Sequence, residues 1–248
     1  MSKESGLGNA LYINGIDVSG EARNWDVTSP MQMLDVTGLR KLANERITGQ
    51  RSGTFKWNSH FDPLSTGYLA LSALPYTDAV VTLMHRETLA APAVNLVTKE
   101  ISYDPTRDDK GQVIFGVEEQ TNASWSDWGV LATPAKRVDT AATNGAGVDH
   151  GAAPLLAVGL QAYLHIHAFT GTNITVKLQH SDDDAVGDPY ADVTGGAFTA
   201  VTAAPGGQML STGRTLQIKR WVRVVTTGTF TTCTFSVAVV VNDTTVAL

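Results

Sequence analysis

The chain is poor in cysteine and in charge, and each shortage removes a class of protein. Cys233 is the only cysteine among 248 residues, so no intrachain disulfide can form and no Cys-based metal site exists. Charged residues make up 17% of the chain, with a net charge of -6. Lysine and arginine nowhere gather into a run, which argues against a nucleic-acid-binding module that neutralises phosphates with a basic face. No apolar run approaches the length that spans a bilayer. The start, Met1-Ser-Lys-Glu-Ser-Gly6, lacks the apolar stretch of a secretory signal. The expectation is a product made in a cytoplasm, without a membrane partner.

What is abundant is Thr, Val, Ala and Gly, a mixture suited to twisted sheets. A weakly charged surface is expected to be covered in part by neighbouring molecules. The length suits one large β domain or two ordinary ones, with a core that needs no staples. Charge divides unevenly: through Val130 there are 11 Lys+Arg and 16 Asp+Glu, afterwards 7 and 8, and every Glu precedes Val130. That break supports two domains, 1–133 and 154–248, joined by a linker over 134–153 in which Ala-Ala-Thr-Asn-Gly-Ala-Gly shows no periodicity.

The local pattern is mostly β. Leu11, Ile13, Ile16 and Val18 flank Asn14-Gly15, a dipeptide that favours a type I′ hairpin turn. Asp35 to Gly53 is polar and basic with no sustained period, and reads as a long loop. Phe55 and Trp57 alternate with polar neighbours, as in a strand. Asp62-Pro63 supplies a helix start, with Leu64, Tyr68 and Leu71 on one face and Pro75 as the stop. Strands are expected over 80–85, 94–103 and 113–117, with a polar turn over 104–111 between the last two. After residue 154 alternation dominates: Leu160 to Ala168, Ile174 to Leu178, Leu216 to Val224 and Cys233 to Val241. Turns at Gly171-Thr-Asn173, 182–189 and 205–207 would punctuate a β-sandwich.

Motifs for chemistry are weak. His165 and His167 share a strand face, but a metal needs at least a third ligand, and the pair reads as exposed sheet residues. Asp182-Asp183-Asp184 with Asp188 lacks the glycine and terminal Glu of a calcium loop, and reads as a solvated turn. Gly6-Leu-Gly8 and Gly145-Ala-Gly147 lack the Lys-Ser/Thr of a phosphate loop. Glu118 and Glu119 point to opposite faces of a strand and cannot serve as paired acid and base. Trp125, Trp128 and Trp221 suit an interface or core more than a sugar platform. No catalytic residue, cofactor site or metal site is assigned.

The order of elements carries a resemblance. Leu11-Tyr-Ile-Asn-Gly-Ile-Asp-Val-Ser-Gly20, then Asp35-Val-Thr-Gly38 leading into the polar loop, then the Phe55 strand, one helix and a return through Val80 to Val117 are similar to the major tail tube proteins of long-tailed, siphophage-like bacteriophages. The likeness spans residues 8–131. The remainder, with Tyr163-Leu-His-Ile-His167, Val176-Lys-Leu-Gln-His-Ser-Asp182 and Arg220-Trp-Val-Arg-Val224, resembles small β-sandwich domains appended to phage structural proteins.

The resemblance implies a mainly β fold: a tail-tube β-sandwich or half-barrel with one flanking helix, followed by an all-β sandwich decoration domain outside the tube. It implies a non-enzymatic virion subunit, assembled in the host cytoplasm, whose copies form stacked, hexameric rings that conduct DNA without binding it specifically. Other tail proteins, such as tape measure and tail terminator, would be partners. The inter-ring loop would comprise Leu39, Arg40, Lys41, Leu42, Asn44, Glu45, Arg46, Ile47 and Arg51. Glu118 and Glu119 are its expected carboxylate partners on the next ring. Alternatives are a glycan-binding domain anchored on a virion, and a capsid decoration or tail terminator protein.

Overall fold

The computed structural model describes residues 8–60, 68, 71, 77–122, 127–134, 136–151 and 157–242. The fold is mainly β, as the alternation requires. Contacts gather the chain into two compact units: residues 1–20, 80–95 and 127–248 form the first, and 21–79 with 96–126 the second.

The first unit is organised by two long antiparallel strands, β13 (Leu160–Ser181) and β16 (Trp221–Val241), paired along nearly their whole length. Leu160, Ala162, Leu164, Ile166, Ile174, Val176 and Leu178 of β13 share one core with Val222, Val224, Cys233, Phe235, Val237 and Val239 of β16. β14 (Ala191–Ala197) and β15 (Gly206–Ser211) pair with β13. β10 (Asp127–Leu131), β11 (Arg137–Asp139) and β12 (Asn144–Asp149) pair with β16. The order continues from β10 through the start of β8 (Pro92–Arg107), β7 (Ala79–Met84) and β1 (Ala10–Ile13) to β2 (Ile16–Asp17).

Three expectations change here. No turn forms at Gly171-Thr-Asn173, where β13 runs on through register slips after Ile166, Thr170 and Gly171. Such bulges bend a strand without ending it, and Gly171 permits the bend because a Cβ there would lie 2.4 Å from Phe230 Cα. Leu216 and Ile218 lie outside any strand, although Ile218 is buried. The stretch 134–153 is not a bare linker: β11 and β12 lie in it, held by Arg137, whose guanidinium meets the Asp139 carboxylate at 2.8 Å and the Val224 carbonyl at 3.0 Å.

The second unit is an antiparallel sheet in the order β3 (Ala22–Thr28), β6 (Thr54–His60), β9 (Val113–Thr121) and the later part of β8. Period-two alternation buries Phe55, Trp57 and Ser59 of β6 and Phe115, Val117 and Glu119 of β9, opposed pair by pair. β8 continues through Pro105 to Arg107, where a polar turn was expected. Proline is tolerated because β8 stands at the end of the sheet order, where one ladder side needs no amide donor. The turn falls later, where Asp108 accepts from the Lys110 and Gln112 amides at 3.0 and 2.7 Å. The expected helix after Asp62-Pro63 lies outside the described residues except for Tyr68 and Leu71, both helical.

Candidate assembly site

The segment expected as a long loop is a preformed β-hairpin. β4 (Met31–Asp35) pairs antiparallel with β5 (Arg46–Arg51), with Leu34 opposite Ile47 and Asp35 opposite Arg46, and the two strands make a sheet of their own. Pro30 and Gly53 separate it from the β3–β6 pair, whose last paired residues are Thr28 and Thr54.

Its connecting turn is tied at the base. The Asp35 carboxylate accepts from the Thr37 amide at 2.9 Å and the Thr37 hydroxyl at 2.5 Å. The Glu45 amide donates to the Thr37 hydroxyl at 2.8 Å, and the Val36 amide to the Glu45 carbonyl at 2.9 Å. These bonds from Thr37 hold the Asp35 carboxyl below the usual carboxylate range. The Asp-Val-Thr element is thus an Asx-type turn that organises the arm.

Both faces of the arm are open. Every residue of β4 is exposed. Met33 and Ile47 are 54% and 51% exposed, and Leu39 and Leu42 at the tip are as exposed as in an extended chain. A two-stranded hairpin without a covered face is marginal in water, and its exposed apolar residues make the arm a candidate interaction site. Residues 31–51 hold four cations, Arg40, Lys41, Arg46 and Arg51, against Asp35 and Glu45, a net +2 that leaves -8 on the rest of the chain. Lys41 meets Glu45 at 3.4 Å across solvent. Among the expected loop residues, Leu39, Arg40, Lys41, Leu42, Asn44 and Glu45 lie in the tip, while Arg46, Ile47 and Arg51 lie in β5.

The proposed carboxylate partners part company. Glu118 is exposed and pairs with Lys56 of its own chain at 2.9 Å. Glu119 is buried: its carboxylate accepts from Trp57 Nε1 at 3.3 Å and Thr98 Oγ1 at 2.5 Å. Its side chain follows Phe115 and Val117 to the covered face, whereas the expectation placed it at an intermolecular contact. The other face of this sheet is polar and concave, with a hollow of about 370 Å³ lined by Asn24, Asp26, Lys56, Asn58, Asp104 and Glu118 among others.

Within the first unit, the two histidines are not exposed sheet residues. His165 is buried, and His167 is the residue at the first register slip of β13. Together they hold one peptide group. The Gly15 amide donates to His165 Nδ1 at 3.2 Å, and the Gly15 carbonyl lies 2.7 Å from His167 Nδ1. The neighbouring Asn14 is held by Val80, its amide donating at 2.9 Å and its side-chain oxygen accepting at 2.8 Å. Asn14 and Gly15 both have positive φ, +47° and +81°, as the type I′ expectation requires. His165 Nε2 meets Thr82 Oγ1 at 2.9 Å, which donates to Asn95 Oδ1 at 3.0 Å. Burial and then the nearby His167 push the His165 pKa down to about 3. Both ring nitrogens of each histidine are thus engaged by protein, and the pair clamps a turn.

The aspartate loop is likewise self-satisfied. Asp183 accepts from the Gly187 and Asp188 amides at 2.6 and 3.0 Å, and Asp188 pairs with Lys219 at 2.6 Å. Asp184 accepts from the Tyr190 hydroxyl at 2.5 Å. No group of three or more metal-ligating side chains exists among the described residues. Cys233 is buried, and burial raises its thiol pKa to about 11, so it is an inert packing residue. Trp128 is 71% exposed, Trp221 is half-buried beside Arg220, and Trp125 lies outside the described residues.

No family model and no curated protein matches this chain. Solved structures to which it is similar come from phage-type tails and baseplates. One is a chain of the virion of a native gene transfer agent particle, 12% identical with a TM-score of 0.41, covering 51% of this chain and 98% of that one. Another is the SPP1 Dit (gp 19.1) protein, from the hub adsorption apparatus of a phage infecting Gram-positive hosts, 10% identical with a TM-score of 0.38, covering 94% and 99%. A third is a chain of the phage p2 baseplate in its activated conformation with Sr, 12% identical with a TM-score of 0.37, covering 95% and 99%. At these identities and TM-scores the likenesses carry no functional argument.

Proposed function

We propose that the chain is a non-enzymatic structural subunit of a phage-type virion tail. In this reading it is a tail tube protein whose copies build stacked rings, six to a ring, around a passage for DNA. The observation that carries the reading is the β4–β5 arm: a tied, preformed hairpin with an apolar tip and a net positive charge, uncovered by its own chain. A second copy is the occupant best matched to it, because the rest of the same chain is acidic. A heterologous contact of this kind generates rings and stacks instead of closed pairs. The order of motifs along residues 8–131 supports the tube form in particular. The polar concave sheet face, where Asp26, Asp104 and Glu118 outnumber Lys56, supports a passage that repels phosphate and lets DNA slide. Tape measure and tail terminator proteins are the further partners this role requires.

The test replaces residues 36–45 by a two-residue Asn-Gly turn, which closes β4 on β5 without the tip. Negative-stain images of the wild-type chain at high concentration are expected to show stacked rings. The shortened chain is expected to stay folded by circular dichroism and to form none. Stacks of normal length from the shortened chain would remove the arm from the assembly.

A further inference from the structure

We propose that Glu100 and Glu119 share a proton, and that this pair makes the β8 edge of the second unit's sheet sensitive to pH. The two residues are direct cross-strand partners, Glu100 on β8 and Glu119 on β9. Directly opposed like charges on one face of a sheet are destabilising, and here one of the pair is wholly buried. Glu119 is bonded by Trp57 and Thr98, whereas Glu100 Oε1 is buried with no hydrogen-bond partner among the described residues. An unpaired buried carboxylate oxygen is costly when ionised, and a proton between the two groups relieves both the missing bond and the repulsion.

Among the described residues, no salt bridge reaches either carboxylate. Glu100 feels the Glu119 charge, and Glu119 is bonded by Thr98 and Trp57; Tyr103 on β8 feels Glu100 in turn and is itself held up to about 12, by burial first and then by Glu21, Tyr68 and Glu100. Lys99, Lys56 and Glu118 are engaged elsewhere, Lys99 with Asp78 and Lys56 with Glu118. Burial, followed by the Glu119 charge, raises the Glu100 pKa to about 7, and burial raises that of Glu119.

The position gives the pair its consequence. Among the described residues the later part of β8 ends the order of the second unit's sheet, and its register slips immediately beyond Glu100, where Ile101 turns outward and is 55% exposed. A raised carboxyl pKa means that the folded strand is favoured while the pair is protonated. That preference is present below the ordinary carboxyl pKa and is lost as pH rises through about 7. Between pH 6 and 8.5 a fully buried group with this shift would alter local opening by about tenfold. With Glu100 only partly buried, about threefold to tenfold is expected.

Hydrogen exchange of the full chain tests this, following the β8 amides from Thr98 to Arg107 at pH 6 and 8.5 after correction for intrinsic exchange. Wild-type protection is expected to fall by about threefold to tenfold. Glu100→Gln and Glu119→Gln are each expected to flatten the change, and either variant suffices if the other does not fold. An unchanged wild type, or a variant with the wild-type loss, would overturn the proposal. So would full recovery of protection at pH 8.5 on adding millimolar Ca²⁺, which would make the pair a cation site.

Discussion

Acidification offers a quantitative test of the turn clamp in the first unit, through His165. The Gly15 amide points at Nδ1, so Nδ1 must be the bare acceptor and Nε2 must carry the proton toward Thr82. Protonating Nδ1 would set two N–H groups against each other in a buried site. This is the local reason, beside burial and His167, that the ring stays neutral with a pKa of about 3. A histidine at its ordinary value near 6.5 takes up a proton in the unfolded chain first, so stability is lost as pH falls below about 6.5 and continues to fall toward 3. Working this linkage through for the buried group gives a loss of about 2 kcal/mol at pH 5 and about 3 kcal/mol at pH 4, relative to pH 7. His167 adds to the loss with the same sign, because burial lowers its pKa too. The perturbation that isolates the first term is His165→Asn, which removes the titrating ring. It is expected to cost about 1–3 kcal/mol at pH 7, for the lost Thr82 bond and the packing defect. Its urea midpoint should then decline less with acid than that of the wild type. Denaturation at pH 7, 6, 5 and 4, followed by tryptophan fluorescence and far-UV circular dichroism, measures the difference. Parallel declines in the two chains would mean that His165 is not the group whose protonation destabilises the fold.

Other consequences follow from single contacts. Gly15→Ala places a Cβ about 2.0 Å from the Ile166 carbonyl oxygen at a φ of +81°; a loss of more than about 2 kcal/mol is expected in the same denaturation assay. Arg137→Ala leaves Asp139, 4% exposed, without its cation, and should cost about 3–5 kcal/mol. Replacing the partners together, Arg137→Met with Asp139→Leu, is expected to recover much of that loss. Lys56→Ala breaks an exposed pair with Glu118 and should shift stability by less than about 1 kcal/mol.

Much of the β framework was legible because its signals are local. Asn14-Gly15 states its turn, and Phe115, Val117 and Glu119 share a period of two that already places Glu119 on the covered face. The charge of Glu119 obscured that sign, since an acidic residue is normally read outward. The arm's strands were not legible: with both faces exposed, nothing forces apolar and polar residues to alternate. Its tie, Asp35-Val-Thr37, was nonetheless written in residues that form Asx turns. His165 and His167 occupy the nominal outer face of a strand that is in fact covered on both sides there, by the apolar core and by the Asn14-Gly15 turn. The unbroken bulk of Tyr163-Leu-His-Ile-His167 was the available hint. β11 and β12 depend on β16, some 70 to 100 residues away, for their ladders, and a short sequence window carries no trace of that pairing.

Sedimentation velocity of the intact chain, from about micromolar to millimolar concentration, decides whether the arm drives self-assembly. Self-assembly through the arm predicts a concentration-dependent rise from the 26.3 kDa monomer to ring-sized and larger species, abolished when Leu39 and Leu42 are both replaced by Asp. A single monomeric boundary at every concentration, or large species that form equally well from the double variant, would contradict it.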